Sequence, residues 1–287
     1  MPTLRVLGLG GFALIQDAGR PGHRHSGVPR SGAFDRQAYA AAVALVGGQP
    51  GQAAIELLGE LTLRCSALTT CAVIGGSEAW QDAGPAPLGT AFEVPAGGTL
   101  VVRAQRRGYL AVTGGIQVPA VLGSRSTCLL SGLGPAPLSA GEDVPLAEHC
   151  WAPTAGDFCR NPAPVGPIGV IPGPHPGFCA GAVEVVEGTR IGVRVRAPGL
   201  SGGAATLASF GTLPGSIQAL PSGDWMVLGP DAGTMGGYPV VGVVTSADQD
   251  RWARAMAGDR LELVVVPADP APAQATTQIV RVSQLRG

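Results

Sequence analysis

Glycine and proline punctuate this chain so densely that it can build only short regular segments joined by tight turns. There are 45 glycines and 26 prolines among 287 residues, and both residue types interrupt helices while favouring turns. In a polar chain that proportion signals disorder, but here short Val, Leu and Ile runs break it up throughout. Such runs recur at Leu61–Leu63, Cys71–Ile74, Leu100–Val102, Tyr109–Val112, Val183–Val186, Ile191–Val195, Trp225–Leu228, Val240–Val244 and Leu261–Val266. Their lengths predict a mainly β chain, with the strands of an antiparallel barrel or sandwich. Val6–Ile15 reads as a strand, a turn and a second strand. Two helices are predicted: one from Ser31 as N-cap to Gly47, the other from Ser246, with Gln249 in the capping-box position, to Gly258.

The length allows two domains of ordinary size. The segment Trp151–Pro167, rich in Pro, Ala and Gly, is the expected linker, dividing a β-rich domain at 1–160 from a barrel domain at 161–287. Gly114-Gly115-Ile116-Gln117-Val118-Pro119 is weakly echoed by Gly215-Ser216-Ile217-Gln218-Ala219-Leu220-Pro221, a faint sign of related halves.

Charge excludes several function classes. The formal net charge is -1, with the arginines scattered, so nucleic-acid binding is not expected. All 19 cationic side chains are arginine, so the chain can supply neither a Schiff-base lysine nor a P-loop lysine. Gly8-Leu9-Gly10-Gly11-Phe12-Ala13 formally matches a dinucleotide fingerprint, but Gly19-Arg20-Pro21-Gly22 forbids the helix that must follow. No apolar run approaches membrane-spanning length. The six cysteines show no zinc-like spacing, which leaves reduced thiols and a cytoplasmic location as the expectation and no metal site.

Polar residues set among glycines mark the candidate site. Gln16-Asp17-Ala18-Gly19-Arg20-Pro21-Gly22 and Ser31-Gly32-Ala33-Phe34-Asp35 place Asp17, Arg20 and Asp35 on a backbone held in special shapes. Arg20 is expected in an exposed loop, where its removal would affect function more than folding. Asp231-Ala232-Gly233-Thr234-Met235-Gly236-Gly237-Tyr238-Pro239 has the same style, and the two loops are expected to share one cleft between the halves. Asp17, Arg20, Asp35, Asp231 and Tyr238 are the candidate catalytic residues. Arg125, Ser126 and Thr127 form either an anion site, with Arg125 gripping a carboxylate, or a loop brace bonded to backbone carbonyls. These three residues, with Gln218 and Thr234, are the candidate substrate-binding set.

These segments resemble the allophanate hydrolase subunit 2, or biotin-dependent carboxyltransferase, family, and within it the C subunit of bacterial 5-oxoprolinase. The resemblance also takes in Ile55-Glu56, Tyr109-Leu110-Ala111-Val112-x-Gly114-Gly115, Pro172-Gly173-Pro174 and Arg190-Ile191-Gly192-Val193-Arg194-Val195. Here the family's Tyr in the last motif is Val193, its Gln after Pro-Gly-Pro is His175, and a Met is Phe34.

The resemblance implies two cyclophilin-like β-barrel domains with a few short helices. It also implies a partner, the B subunit of the same system, with the A subunit as a further one, and an amidohydrolase component that is active only in the complex. The implied reaction is ATP-coupled opening of the 5-oxo-L-proline lactam to L-glutamate, with ATP bound at or by the partner. The alternatives are the carboxyltransferase part of a urea carboxylase-like system, taking carboxylate from carboxybiotin to an amide nitrogen, and a non-catalytic regulator that binds a partner resembling the B subunit.

Overall fold

The structure is a computed structural model and describes residues 1–148, 157–159, 166–196, 206–268 and 280–281. The boundary expected at 160/161 and most of the expected linker lie outside the described residues. The chain is mainly β. Its first half comprises β1 (Thr3–Gln16), β2 (Ala54–Cys65), β3 (Thr69–Ile74), β4 (Glu78–Gln81), β5 (Gly84–Pro85), β6 (Ala91–Val94), β7 (Thr99–Val112) and β8 (Asp143–Pro145). These form one eight-stranded sheet in the order β5-β4-β7-β2-β1-β8, with β3 bonded to β7 and β6 to β3.

The second half comprises β9 (Asp157–Phe158), β10 (Ile168–Pro172), β11 (Gly181–Gly188), β12 (Gly192–Arg196), β13 (Phe210–Gly211), β14 (Ser216–Ala219), β15 (Trp225–Leu228), β16 (Met235–Gly236), β17 (Val240–Val244), β18 (Arg260–Val265) and β19 (Val280–Arg281). Seven of these close a barrel in the order β10-β17-β14-β15-β12-β11-β18, sealed by parallel pairing of β10 with β18. Alternate residues of its strands point inward, so Val193, Val195, Ile217, Trp225, Val227, Leu261 and Leu263 fill it.

β1 is one continuous strand rather than the expected strand-turn-strand. Its glycines serve a close crossing: a Cβ on Gly11 would lie 2.0 Å from the Leu58 carbonyl oxygen. The facing Gly59 has a φ of 96°, which only glycine adopts without strain. Leu57 pairs with Gly108 and Gly59 with Ala104, which leaves Gln105, Arg106 and Arg107 bulged out of β7 opposite Leu58. That bulge re-aims two arginines toward the second half.

α1 (Arg36–Leu45) packs Ala38, Ala41, Ala42 and Leu45 onto Ala72, Ile74, Tyr109 and Ala111 of the sheet. It begins later than expected because Ser31 and Gly32 are left-handed, with φ of 53° and 85°. Asp35 caps the helix instead, accepting from the Ala38 N–H at 3.0 Å. α2 is a short Gln249–Trp252 turn. No helix among the described residues is long and apolar enough to cross a membrane.

Candidate functional site

The loop from Gln16 to Asp35 is organised by Asp17, which is buried. Its Oδ1 accepts from the Gly19 N–H at 2.8 Å, Ser124 Oγ at 2.6 Å and Ser126 Oγ at 2.5 Å, and its Oδ2 accepts from the Arg125 N–H at 2.6 Å. Arg20 N–H to the Arg30 carbonyl, at 2.8 Å, and Ala33 N–H to the Asp17 carbonyl, at 2.9 Å, close the loop at its base. A Cβ on Gly32 would lie 2.7 Å from the Gly19 nitrogen, so the two ends of the loop touch.

Arg20 is not in an exposed loop: it is 0% exposed. Its Nη2 donates to the Ser126 carbonyl at 2.5 Å and its Nε to the Val121 carbonyl at 3.4 Å. It therefore braces the 121–126 loop from beneath, because burial denies it any ligand reached from solvent.

Arg125 also works as a brace. Its Nε donates to the Val118 carbonyl at 2.9 Å and its Nη2 lies 3.4 Å from Gln117 Oε1. Ser126 and Thr127 are buried. The Ser126 hydroxyl is held by Asp17, and the Thr127 carbonyl accepts from Gln16 Nε2 at 2.8 Å and Ser31 Oγ at 3.0 Å. The carboxylate grip considered for this trio is replaced by an internal lattice around Asp17.

Beneath these loops runs a chain of buried ions. Glu56, on β2, accepts from Arg190 Nη1 at 2.8 Å, from Arg107 Nη1, from the Tyr109 hydroxyl at 2.7 Å and from the Phe34 N–H at 3.0 Å. Arg190 in turn forms a fork with Asp231, Nε to Oδ2 at 3.0 Å and Nη2 to Oδ1 at 2.9 Å, and its Nη2 reaches the Gly32 carbonyl at 2.6 Å. Glu56, Arg190 and Asp231 are all buried. Asp231 is thus a partner of Arg190 rather than a free acid facing a ligand. Asp35 is likewise committed, bonded to Arg254 at 2.5 Å as well as to α1. Burial pushes the Asp35 carboxyl up more than Arg254 pulls it down.

Glu56 carries a consequence for acid stability. Burial pushes its carboxyl up, but Arg190, Arg107 and the hydrogen bonds to it prevail and hold it at about 2, against an ordinary 4.5. A folded-state value below the unfolded one gives stability that is fully present above pH ~4.5 and drains away as pH falls toward 2. The difference corresponds to roughly 3 kcal/mol. Urea unfolding at stepped pH should show Glu56→Gln weakened at neutrality and with a flatter acid slope than wild type. Parallel slopes would contradict the assignment.

The open feature of this region is a cleft of about 460 Å³ between the two halves, within the size range of small-molecule sites. Phe34, Val43, Leu228, Pro230 and Trp252 give it apolar walls, and Asp17, Arg30, Ser31, Arg36, Tyr39 and Gln249 supply the polar lining. Tyr39 donates to the Gln52 carbonyl at 2.7 Å; burial, then the Asp17 charge, raise its phenol above the usual range, keeping it protonated. The second-half loop meets the first through Ser31 N–H to the Pro230 carbonyl at 3.0 Å and Leu129 N–H to Asp231 Oδ2 at 3.3 Å. Of the expected residues, Asp17 lines the cleft, whereas Gln218, Thr234 and Tyr238 do not. Gln218 is buried, with its amide nitrogen 2.4 Å from where a Cβ on Gly236 would sit.

Arg30, Arg36 and Tyr39 carry no motif in the sequence, and Gln249 is marked there only by its capping-box position. Glu56 and Arg190 stand in the family-like segments with no role that their own neighbours in sequence reveal. Pairing a lone Glu and Arg in strand-like runs with Asp231 was the available signal.

Two β-rich halves enclosing a cleft define a class in which neither half alone makes the site. The chain belongs to the carboxyltransferase domain family, subdomain A and B, which it matches over residues 26–265. It is 31% identical over 280 residues to the C subunit of 5-oxoprolinase from Escherichia coli (strain K12), covering 91% of this chain and 90% of that protein. It is 35% identical over 138 residues to the urea amidolyase of Lachancea kluyveri, covering 46% of this chain and 8% of that protein. The solved structure of TTHA0988 in space group P6522 superposes with a TM-score of 0.84 at 32% identity, covering 92% of this chain and 56% of that one. The chain therefore spans just over half the length of that solved chain.

Proposed function

We propose that this chain is the C subunit of a 5-oxoprolinase-type enzyme, acting with a B subunit in the cytoplasm to open 5-oxo-L-proline to L-glutamate at the expense of ATP. The observation that carries this reading is the end-to-end match to the Escherichia coli protein, 31% identical over 90% of its length. The cleft supports it: its volume of about 460 Å³ and mostly apolar walls suit a small amide or lactam. The lactam is a poor electrophile because of amide resonance, so phosphate activation of its oxygen before water attacks is chemically reasonable.

The described residues offer no cradle for a nucleoside triphosphate. At the start of α1 the Ala38 N–H is capped by the Asp35 carboxylate and the Arg36 N–H donates to Asp250 Oδ1 at 2.9 Å, and the chain has no lysine. ATP is accordingly assigned to the partner or to the shared interface. The test is to purify the chain alone and with its B subunit. The chain alone should be folded and inactive, and the complex should release glutamate from 5-oxoproline only with ATP. Cleavage by the isolated chain at the rate of the complex would overturn the division of labour.

A second reading, carboxyl transfer from carboxybiotin to an amide nitrogen, is favoured by the family itself and by the urea amidolyase match. A complex that transfers carboxylate from carboxybiotin to urea, and leaves 5-oxoproline intact, would establish it instead.

A further inference from the structure

Arg30 lines the cleft without an acidic partner among the described residues. The other cleft arginine, Arg36, is paired with Asp250 at 3.0 Å. The carboxylate in the cleft, Asp17, already has both oxygens engaged by Gly19, Ser124, Ser126 and Arg125. No described side chain bonds the Arg30 guanidinium, while its backbone carbonyl is held by the Arg20 N–H at 2.8 Å. Its main chain is fixed and the residue is exposed as a whole. Gln249 offers the complementary group. Its Nε2 donates to the Pro214 carbonyl at 3.3 Å and to the Val244 carbonyl at 3.5 Å, which leaves Oε1 as an acceptor without a donor among the described residues. Phe34, Val43 and Trp252 add apolar surface to the same cleft.

We propose that Arg30 is the carboxylate anchor of the cleft, holding a small amide or lactam acid whose N–H is received by Gln249 Oε1 and whose carbon skeleton lies on Phe34, Val43 and Trp252. This deepens the oxoprolinase reading and rests on it for the identity of the substrate. A guanidinium fork matches a carboxylate in a way that an ammonium does not, and a cation waiting without a partner loses no existing ion pair when the ligand arrives. The anchor role considered for Arg125 passes to Arg30 because Arg125 is tied to Val118 and Gln117.

The test uses this chain in complex with its B subunit, titrated with two probes: 5-oxo-L-proline and 2-pyrrolidinone, the same lactam without its carboxylate. Calorimetric titration should show 5-oxoproline bound at least tenfold more tightly than 2-pyrrolidinone. Arg30→Gln should erase that preference by weakening 5-oxoproline alone, and Arg30→Lys should restore part of it. In turnover, Arg30→Gln should raise KM with little change in kcat. Gln249→Leu should weaken both probes. Wild-type binding of both probes by Arg30→Gln, or no binding of either by the wild-type complex, would overturn the anchor. A complex that cleaves 5-oxoproline with an unchanged KM in Arg30→Gln refutes the anchor and keeps the oxoprolinase reading. One that discriminates the probes through Arg30 yet cleaves nothing refutes that reading and keeps the anchor.

Discussion

Arg190→Ala is expected to destabilise the protein by about 3–5 kcal/mol, the range for removing one member of a buried ion pair. Arg190 sits between Glu56 and Asp231, all three buried, so the substitution takes away the ion-pair partner of Asp231 and leaves Glu56 with Arg107 alone. A loss of that size is a large part of the roughly 5–15 kcal/mol that folded domains typically possess. The double variant Arg190→Met, Asp231→Leu should recover part of the loss, because it removes the Asp231 charge along with its partner and keeps Glu56 paired with Arg107. Urea denaturation of the two variants measures this directly. A midpoint for Arg190→Ala equal to wild type would show that the chain of ions contributes no stability.

Arg20→Ala should also unfold the protein readily, against the sequence-based expectation of a functional loss with little change in Tm. The guanidinium donates to the Ser126 and Val121 carbonyls; its removal takes the side-chain donor from the Ser126 carbonyl and opens a cavity, while Val121 keeps the Ser124 N–H at 3.2 Å. Hydrogen bonds from charged donors and unsatisfied buried acceptors each count for about 1.5–3 and 1–3 kcal/mol, and a cavity adds to them. A loss of about 3 kcal/mol is expected, which at roughly 2–4 °C per kcal/mol would be plain in a calorimetric scan. Arg20→Met fills the space without donating and should recover the packing part alone. An Arg20→Ala protein that melts with wild type but fails to bind its partner or substrate would return Arg20 to a functional role.

Strand positions in the second half were legible because each short apolar run between glycines and prolines is one barrel strand, as at Trp225–Leu228 and Val240–Val244. The glycine run at Gly8, Gly10 and Gly11 misled, since glycine permits a close crossing of strands as readily as a turn, and the difference depends on Gly59, far away in sequence. The same limit applied to the site. Asp17, Arg20 and Arg125 sit among glycines in the way that functional groups do, but whether such a charge faces a ligand or a carbonyl is decided by tertiary contacts. Of the residues that do line the cleft, Arg30 comes from a loop with no pattern to set it apart, and the capping-box spacing of Gln249 reads as a helix start rather than a ligand group.

The charged pairs that cross between the halves set the mechanical character of the cleft. Arg36 with Asp250, Asp35 with Arg254, the bulge residue Arg106 with Asp259, and Glu56 with Arg190 join the two walls at four separate points. A jaw needs a hinge that lets one wall swing, and fastening at several points removes that freedom. The cleft is therefore a gauge: its width is set before any molecule arrives. Such a gauge sorts what enters by girth before any charge on it is read.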